Sequence, residues 1–164
     1  GGSSYLEIFH GCLTGRPPEV DLKLEKSVQS FLRKAIREGY VRSAHDISDG
    51  GLAVAIAECS IASDLGAQCE LPVSQVRLDR LLFAEGGARV IVSTSAQNES
   101  AWLAFLKQFN SQNSSSVSLS KIGHVQAKKE VLITQKESNI IDLPLDQLKE
   151  TFENAISRRL EIKK

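Results

Sequence analysis

The sequence predicts an α+β domain in which helices pack on a mixed β-sheet. Segments with apolar residues at every third or fourth position alternate with short β-branched segments along the chain. Some connections between them are short and hairpin-like, and others are longer crossovers, which gives a mixed sheet. In addition, the run Val90-Ile91-Val92 is apolar on both faces and is typical of a strand in the middle of a covered sheet.

The first predicted elements lie between positions 15 and 61. The prolines of the Gly-Arg-Pro-Pro segment at 15–18 prevent regular pairing there. A helix is predicted over 21–38, with Asp21 as its N-cap and Gly39 as its left-handed stop. A strand over 40–45 and a second helix from Gly50 or Gly51 to about 61 follow. The apolar stripe of the first helix consists of Leu24, Val28, Phe31, Leu32, Ala35 and Ile36. The inward face of the second consists of Leu52, Ala55, Ile56 and Cys59.

The remaining elements are predicted from the same periodicities. Strands are expected over 68–71 and 88–95, an exposed loop over 111–116, a pair of strands over 117–125 and 131–134, and a closing helix over 144–160. A helix between the second strand and the loop has an aromatic core face, formed by Ala101, Trp102, Phe105, Leu106 and Phe109. The closing helix is expected to turn inward Leu145, Leu148, Phe152 and Ile156.

Composition limits the class of protein. The 164 residues suffice for a single domain, and 41% hydrophobic with 24% charged residues is typical of globular chains. Twenty basic and twenty acidic residues cancel, which argues against a nucleic-acid partner. No apolar run approaches the ~20 residues that a membrane span needs, so no membrane partner is expected. Three cysteines without Cys-x-x-Cys spacing favour reduced, buried thiols and a cytoplasmic location. Because the chain has no methionine, we expect it to be cut from a longer protein.

The segment at 43–51, Ser-Ala-His-Asp-Ile-Ser-Asp-Gly-Gly, combines a strand end, a tight turn and a helix start. Helix N-termini bind anions, and Gly50 and Gly51 let a ligand approach the backbone. However, Asp46 and Asp49 would repel a bare phosphate, by about 4 kcal/mol for unit charges ~4 Å apart at an effective dielectric of 20. A Mg²⁺ ion between carboxylate and phosphate removes this conflict, with Asp46 as the metal ligand. Alternatively, Ser48 or Asp49 only caps the helix, which contributes about 1 kcal/mol, and Asp46 only closes the turn.

Other polar residues give weaker signals. Glu85, followed by two glycines, is a candidate to accept a ligand hydroxyl or a metal-bound water, or else it belongs to an ordinary loop. His45 is either a general acid or base or, more commonly at a strand end, a hydrogen-bonded structural group. His10 and His124 have no partners at metal-ligand spacing. No nucleophile elbow, P-loop or dinucleotide fingerprint occurs, so no catalytic residue is predicted.

The turn segment extended to Ala55 resembles the hallmark of the C-terminal domain of the aminoimidazole ribonucleotide synthase superfamily. Three further segments are similar to its phosphoribosylformylglycinamidine synthase branch: the opening Gly-Gly-Ser-Ser-Tyr-Leu, Gly-Arg-Pro-Pro-Glu-Val-Asp at 15–21, and Leu-Phe-Ala-Glu at 82–85 before Arg-Val-Ile-Val-Ser. This resemblance implies an ATP- and Mg²⁺-dependent ligase of purine biosynthesis. ATP phosphorylates the formylglycinamide oxygen, and ammonia from glutamine then displaces the phosphate.

The resemblance also implies where the chain belongs and what surrounds it. The branch is an internal duplication, and residues 1–164 look like the last of its four domains. Implied partners are the N-terminal nucleotide-binding domains of the same parent chain, a glutaminase subunit or domain, and a small accessory subunit in the multi-subunit form. The isolated chain is then expected to be inactive.

Site residues are carried over by position. Asp46 matches a metal ligand of the family. The residues predicted to bind the nucleotide cofactor are Ser48, Asp49, Gly50, Gly51 and Glu85. The substrate-binding copy has Glu-Ser-Gln where this chain has Glu-Gly-Gly at 85–87, so two side chains that contact substrate are missing. The resemblance therefore implies an auxiliary nucleotide site, or support of the partner site, rather than a site for the reacting substrate.

Two other interpretations remain open from the sequence. The chain could belong to another superfamily member: aminoimidazole ribonucleotide synthase, selenophosphate synthetase or thiamine-phosphate kinase. It could also be a non-catalytic docking domain that presents an amphipathic helix, such as that at 21–38, to a partner.

Overall fold

The computed structural model describes residues 2–161, so Gly1, with which the opening segment of the resemblance begins, lies outside the described residues. The helices are α1 (Ser4–His10), α2 (Leu22–Arg37), α3 (Gly51–Ser63), α4 (Leu78–Phe83), α5 (Glu99–Ser111), α6 (Leu145–Glu153) and α7 (Ala155–Glu161). The strands are β1 (Ser43–Asp46), β2 (Gly66–Glu70), β3 (Val90–Ser93), β4 (Gly123–Gln126), β5 (Glu130–Gln135) and β6 (Ser138–Pro144). Contacts divide the described chain into two compact units, 2–55 with 76–120, and 56–75 with 121–161. Helices with a mixed sheet confirm the predicted α+β class.

The first unit is built around α2 and α5. The Asp21 carboxylate accepts hydrogen bonds from the N–H groups of Lys23 (2.9 Å) and Leu24 (3.1 Å), which confirms it as the N-cap of α2. Gly39 follows the helix with φ +76°, as predicted. The core cluster of this unit consists of Phe31, Ala35, Trp102, Phe109 and Val117. Ile36 is 48% exposed, so its inclusion in the apolar stripe was wrong, because the buried face of α2 is narrower than the pattern suggested.

Strands β1 and β3 form a two-stranded antiparallel sheet in which Asp46 lies opposite Val90. The predicted strand over 40–45 thus begins later, at Ser43. The expectation that Val90-Ile91-Val92 occupies the middle of a covered sheet is wrong for the described residues, since β3 is half-buried and pairs only with β1. Its apolar character is explained by packing, because Val92 lies against the aromatic core cluster.

The second unit contains a four-stranded sheet in the order β4-β2-β5-β6. Strands β2 and β5 run parallel, and the other two pairs are antiparallel. The predicted pairing of 117–125 with 131–134 is therefore wrong: the first strand is shorter, and β2 separates it from β5. Strand β6 was not predicted. It pairs with β5 through a tight hairpin, whose turn residues Lys136 and Glu137 both have positive φ angles. Residues buried in this unit include Cys69, Leu71, Val131, Ile133 and Leu145.

The predicted closing helix is interrupted at Asn154, where α6 ends and α7 follows. Leu145 is fully buried and Leu148 is half-buried, as predicted. Phe152 and Ile156 are 58% and 74% exposed, so the prediction that they face inward was wrong for the described structure. No described helix has the length and apolar character needed to cross a bilayer.

The three cysteines carry free thiols, as expected from their odd number and spacing. Cys69 is buried, and burial raises the pKa of its thiol to about 11. Cys12 and Cys59 are only half-buried, so the expectation of buried thiols holds fully for Cys69 alone.

Candidate functional site

The predicted turn connects the end of β1 to the start of α3. Gly50 and Gly51 adopt φ angles of +79° and +73°, which glycine reaches without steric cost. A Cβ atom on Gly51 would lie 2.7 Å from the carbonyl oxygen of Leu82 and 2.7 Å from the Cα of Phe83. The second glycine is thus required both for the turn and for the close approach of α3 to the end of α4.

The carboxylate of Glu85 binds this turn directly. Its Oε1 accepts hydrogen bonds from the N–H groups of Gly50 (2.8 Å) and of Ser4 (2.9 Å), so one oxygen joins the start of α1 to the start of α3. A negative charge at a helix N-terminus is favourable because the helix dipole is positive there. Partial burial alone would raise the pKa of Glu85, but the hydrogen bonds from Gly50 and Ser4 outweigh it and lower the pKa below its ordinary value. Glu85 is therefore ionised and acts first as a structural anchor of the turn.

Asp46 is the last residue of β1, and its side chain is exposed. Within the described residues its carboxylate makes no hydrogen bond or ion pair, while its carbonyl oxygen accepts a 2.6 Å hydrogen bond from Nδ1 of His45. The imidazole therefore carries its proton on Nδ1 and supports the backbone at the strand end. This leaves the Asp46 carboxylate available as a ligand.

Ser48 and Asp49 are exposed in the turn itself. The Ser48 carbonyl accepts a 3.1 Å hydrogen bond from the N–H of Gly51, which closes the turn. Neither side chain caps α3 in the described structure, so the alternative in which one of them serves only as the N-cap does not describe this helix. Glu85, 35 residues from Gly50, binds that end of the helix instead.

The structure therefore brings Gly50 together with Glu85 and Ser48 together with Gly51, while Asp46 stands apart from these bonds. No three His, Cys, Asp or Glu side chains gather at metal-binding distance in the described part of the chain. A full protein cage for a metal is thus absent from residues 2–161. The donor set, a single available carboxylate beside a helix N-terminus, fits Mg²⁺ in its usual mode, in which phosphate and water oxygens complete the coordination.

Several features of the site were not predicted from the sequence. Ser3 caps the short helix α1, its Oγ accepting from the N–H of Leu6 at 3.4 Å, and the ring of Tyr5 stacks on Phe83 at 4.6 Å and 2°. The contact between Tyr5 and Phe83 holds α1 against the end of α4, two residues before Glu85. The serine ahead of an apolar segment was the available signal for the helix, whereas the long-range contacts left no local pattern.

The glycines after Glu85 have different surroundings. Among residues 2–161, a Cβ on Gly86 would meet only Pro18, at an ordinary 3.5 Å, whereas a Cβ on Gly87 would overlap the carboxylate of Glu25. A side chain at 86 is thus sterically permitted, but one at 87 requires Glu25 to move.

Comparison with known proteins places this geometry in context. The family model of the C-terminal domain of AIR synthase related proteins matches residues 1–135. The chain is similar to the phosphoribosylformylglycinamidine synthase subunit PurL of Prochlorococcus marinus strain MIT 9303, with 58% identity over 159 residues, 97% of this chain and 20% of that protein. It thus spans about a fifth of the length of the curated relative that it matches.

Two solved structures share the fold. The PurLQS structure from Thermotoga maritima matches with a TM-score of 0.67 and 21% identity, covering 80% of this chain and 22% of that one. The T. maritima PurL complexed with ATP matches with a TM-score of 0.62 and 20% identity, covering 76% of this chain and 21% of that one. At these identities the likeness shows the fold alone.

Proposed function

Because the chain belongs to the AIR synthase related family as a C-terminal domain, we propose that it is part of an ATP-dependent ligase of purine biosynthesis. The parent enzyme would convert formylglycinamide ribonucleotide and glutamine-derived ammonia to formylglycinamidine ribonucleotide. The observation that carries this proposal is the 58% identity to a phosphoribosylformylglycinamidine synthase subunit over 97% of the chain. The same match favours this ligase over the other superfamily members, since the identity extends far beyond the shared turn.

In this function the turn between β1 and α3 serves as a site for metal-bound nucleotide. Where the substrate reacts in the parent enzyme, Mg²⁺-ATP would supply the phosphoryl group that turns the amide oxygen into a leaving group, and the metal would neutralise charge during transfer. The nucleotide at the turn of this domain would be auxiliary to that reaction. Asp46 would hold the metal through its available carboxylate. Gly50 and Gly51 would let the phosphate approach the backbone beside the start of α3, although their own N–H groups are bonded to Glu85 and to the carbonyl of Ser48. Ser48 and Asp49 line the exposed part of the turn.

Glu85 has an indirect role in this proposal. The hydrogen bonds that its carboxylate accepts from Gly50 and Ser4 fix the conformation in which the turn receives a ligand. The carboxylate also places a negative charge beside the turn. That charge disfavours a bare phosphate and favours one that arrives with a divalent cation. The site would therefore discriminate between free and metal-bound nucleotide.

The proposal extends to the setting of the domain. Residues 1–164 would form the last C-terminal domain of a duplicated synthetase, with an auxiliary rather than a substrate site because Gly86 and Gly87 carry no side chains. Its partners would be the nucleotide-binding domains of the same parent chain, a glutaminase and, in the multi-subunit form, a small accessory subunit, all in the cytoplasm. The solved PurLQS structure supports an assembly of this kind.

The full-length parent provides the test. Purified parent should form formylglycinamidine ribonucleotide from formylglycinamide ribonucleotide, Mg²⁺-ATP and ammonium, and the 164-residue chain alone should form none. Absence of product from the parent, with turnover of another superfamily substrate, would assign the chain to a different member. Product from the isolated chain would contradict the assignment of the chemistry to the whole enzyme.

A further inference from the structure

The C-terminal helices carry an apolar stripe that no described residue covers. Phe152, Ile156 and Leu160 recur at intervals of four and are 58%, 74% and 69% exposed. Residues spaced in this way lie on one side of a helical segment. Beside them lies an open apolar hollow of about 360 Å³, lined by Ala155, Ile156, Arg159 and Leu160.

The polar side of the same helices is already engaged. Arg158 donates to the carboxylate of Glu150 at 2.5 Å, and its N–H bonds the carbonyl of Asn154 at 3.0 Å. These bonds connect α7 to α6 across the break between them. The polar side of α7 thus makes intramolecular hydrogen bonds, while its apolar side remains exposed. An exposed apolar side of this kind is expected of a surface that packs against a partner.

The matched regions separate this stripe from the common fold of the family. The family model ends at residue 135, before α6 begins, whereas the similarity to the P. marinus relative covers 159 residues and therefore includes most of both helices. The stripe thus lies outside the part of the chain that the family model matches.

The size of the stripe indicates what kind of occupant it has. Three side chains of this type offer roughly 400 Å² of apolar surface. A stable association between separate molecules buries about 800 Å² on each partner. A surface of half that size holds its partner when both belong to one polypeptide, because tethering raises the effective concentration to the millimolar range. Four-fifths of the length of the relative lies outside this chain.

We infer that the stripe formed by Phe152, Ile156 and Leu160 is an intramolecular docking surface, covered in the parent protein by another apolar segment of the same polypeptide. This inference rests on the proposed function only in requiring that the chain be part of a longer synthetase. It is independent of the metal and nucleotide site.

The test measures thiol accessibility in the full-length parent. Ile156→Cys places a thiol in the stripe, and Ser157→Cys places one on the neighbouring exposed position as a matched control. Maleimide labelling of each site is followed by peptide mass spectrometry. The thiol at 156 should react at least 10-fold more slowly than that at 157 in the native parent, and the two should react equally in urea. If Ile156→Cys fails to fold, Leu160→Cys replaces it.

The outcomes separate the possible occupants. Protection that is unchanged by a 100-fold dilution and by the absence of other subunits supports docking within one polypeptide. Equal rates at 156 and 157 in the native parent would overturn the inference, because the stripe would then be open to solvent. Protection that disappears on dilution would assign the surface to a second copy, and protection that requires an added glutaminase would assign it to that subunit; either result overturns it. If the unsubstituted parent shows no ligase activity while the thiol at 156 is protected, the proposed function fails and the docking surface stands.

Discussion

Replacing Glu85 with alanine should destabilise the first unit, because it leaves two backbone N–H groups without their acceptor. The carboxylate accepts from Gly50 at 2.8 Å and from Ser4 at 2.9 Å. A hydrogen bond to a charged group contributes about 1.5–3 kcal/mol when buried. Glu85 is only half-buried, so water replaces part of each bond, and we expect a total loss of about 2 kcal/mol for Glu85→Ala.

Urea unfolding followed by tryptophan fluorescence measures this loss. Trp102 is the single tryptophan, is 3% exposed and lies in the core cluster of the same unit. Glu19→Ala is the matched control, since Glu19 is exposed in the segment before α2, and its free energy of unfolding should change by no more than about 0.5 kcal/mol. Equal effects of the two substitutions would refute the anchoring role of Glu85.

The pH dependence gives an independent check on the same residue. The pKa of Glu85 is lowered in the folded chain, so its contribution is present above the pKa of an unfolded glutamate, near 4.3, and is lost as the pH falls through the folded value. The difference in unfolding free energy between the unsubstituted chain and Glu85→Gln should therefore be largest at neutral pH and shrink below about pH 4. A difference that stays constant from pH 7 to pH 3 would contradict an ionised anchor.

Three further substitutions test contacts in both units, two in the first and one in the second. Gly51→Ala should lower the free energy of unfolding by about 2–4 kcal/mol, because the new Cβ meets the α4 backbone at 2.7 Å. The control Gly39→Ala, at φ +76° with open space around it, should cost only about 1 kcal/mol of backbone strain. Equal urea midpoints for the two variants would contradict the close approach of α3 to α4. Asn110→Ala removes two hydrogen bonds with the backbone of Val117, of 2.8 and 2.9 Å, and should lower the unfolding free energy by about 1–2 kcal/mol with loss of amide protection at 117. The Asp64 carboxylate binds Lys129 and Lys149, and hydrogen bonds from these lysines lower its pKa to about 2. Unfolding followed by circular dichroism should therefore show that the stabilisation relative to Asp64→Asn fades between pH 4 and pH 2, and also in high salt. A stabilisation that changes with neither pH nor salt would rule out the ion pairs.

Much of the fold was predictable because its causes are local. The cap at Asp21, the stop at Gly39 and the aromatic residues of the α5 face all arise from residues close in sequence, and these predictions were confirmed. Ala101, which was predicted on the same face, is exposed, so its inclusion was wrong. Strand order was not predictable, because the insertion of β2 between β4 and β5 depends on pairing across some fifty residues or more. The exposure of Ile156 was missed because periodicity identifies an apolar face without showing what covers it.

The candidate site was predictable in part for the same reason. The turn at 46–51 could be located because its glycines and acidic residues are contiguous. Glu85 was identified as a site residue, but its contact with Gly50 joins residues 35 apart, so its anchoring role appeared only in the structure. The metal role of Asp46 stays a prediction, supported by a carboxylate that no described residue engages.

The most direct test of this account is Mn²⁺ binding, measured by electron paramagnetic resonance, to the full-length parent in the presence of ADP. Asp46→Asn should weaken binding at one metal site by at least 10-fold with an unchanged unfolding midpoint, while Asp49→Asn, in the same turn, should have a much smaller effect. Unchanged Mn²⁺ affinity in a correctly folded Asp46→Asn parent would contradict the proposal that this carboxylate holds a nucleotide-bound metal.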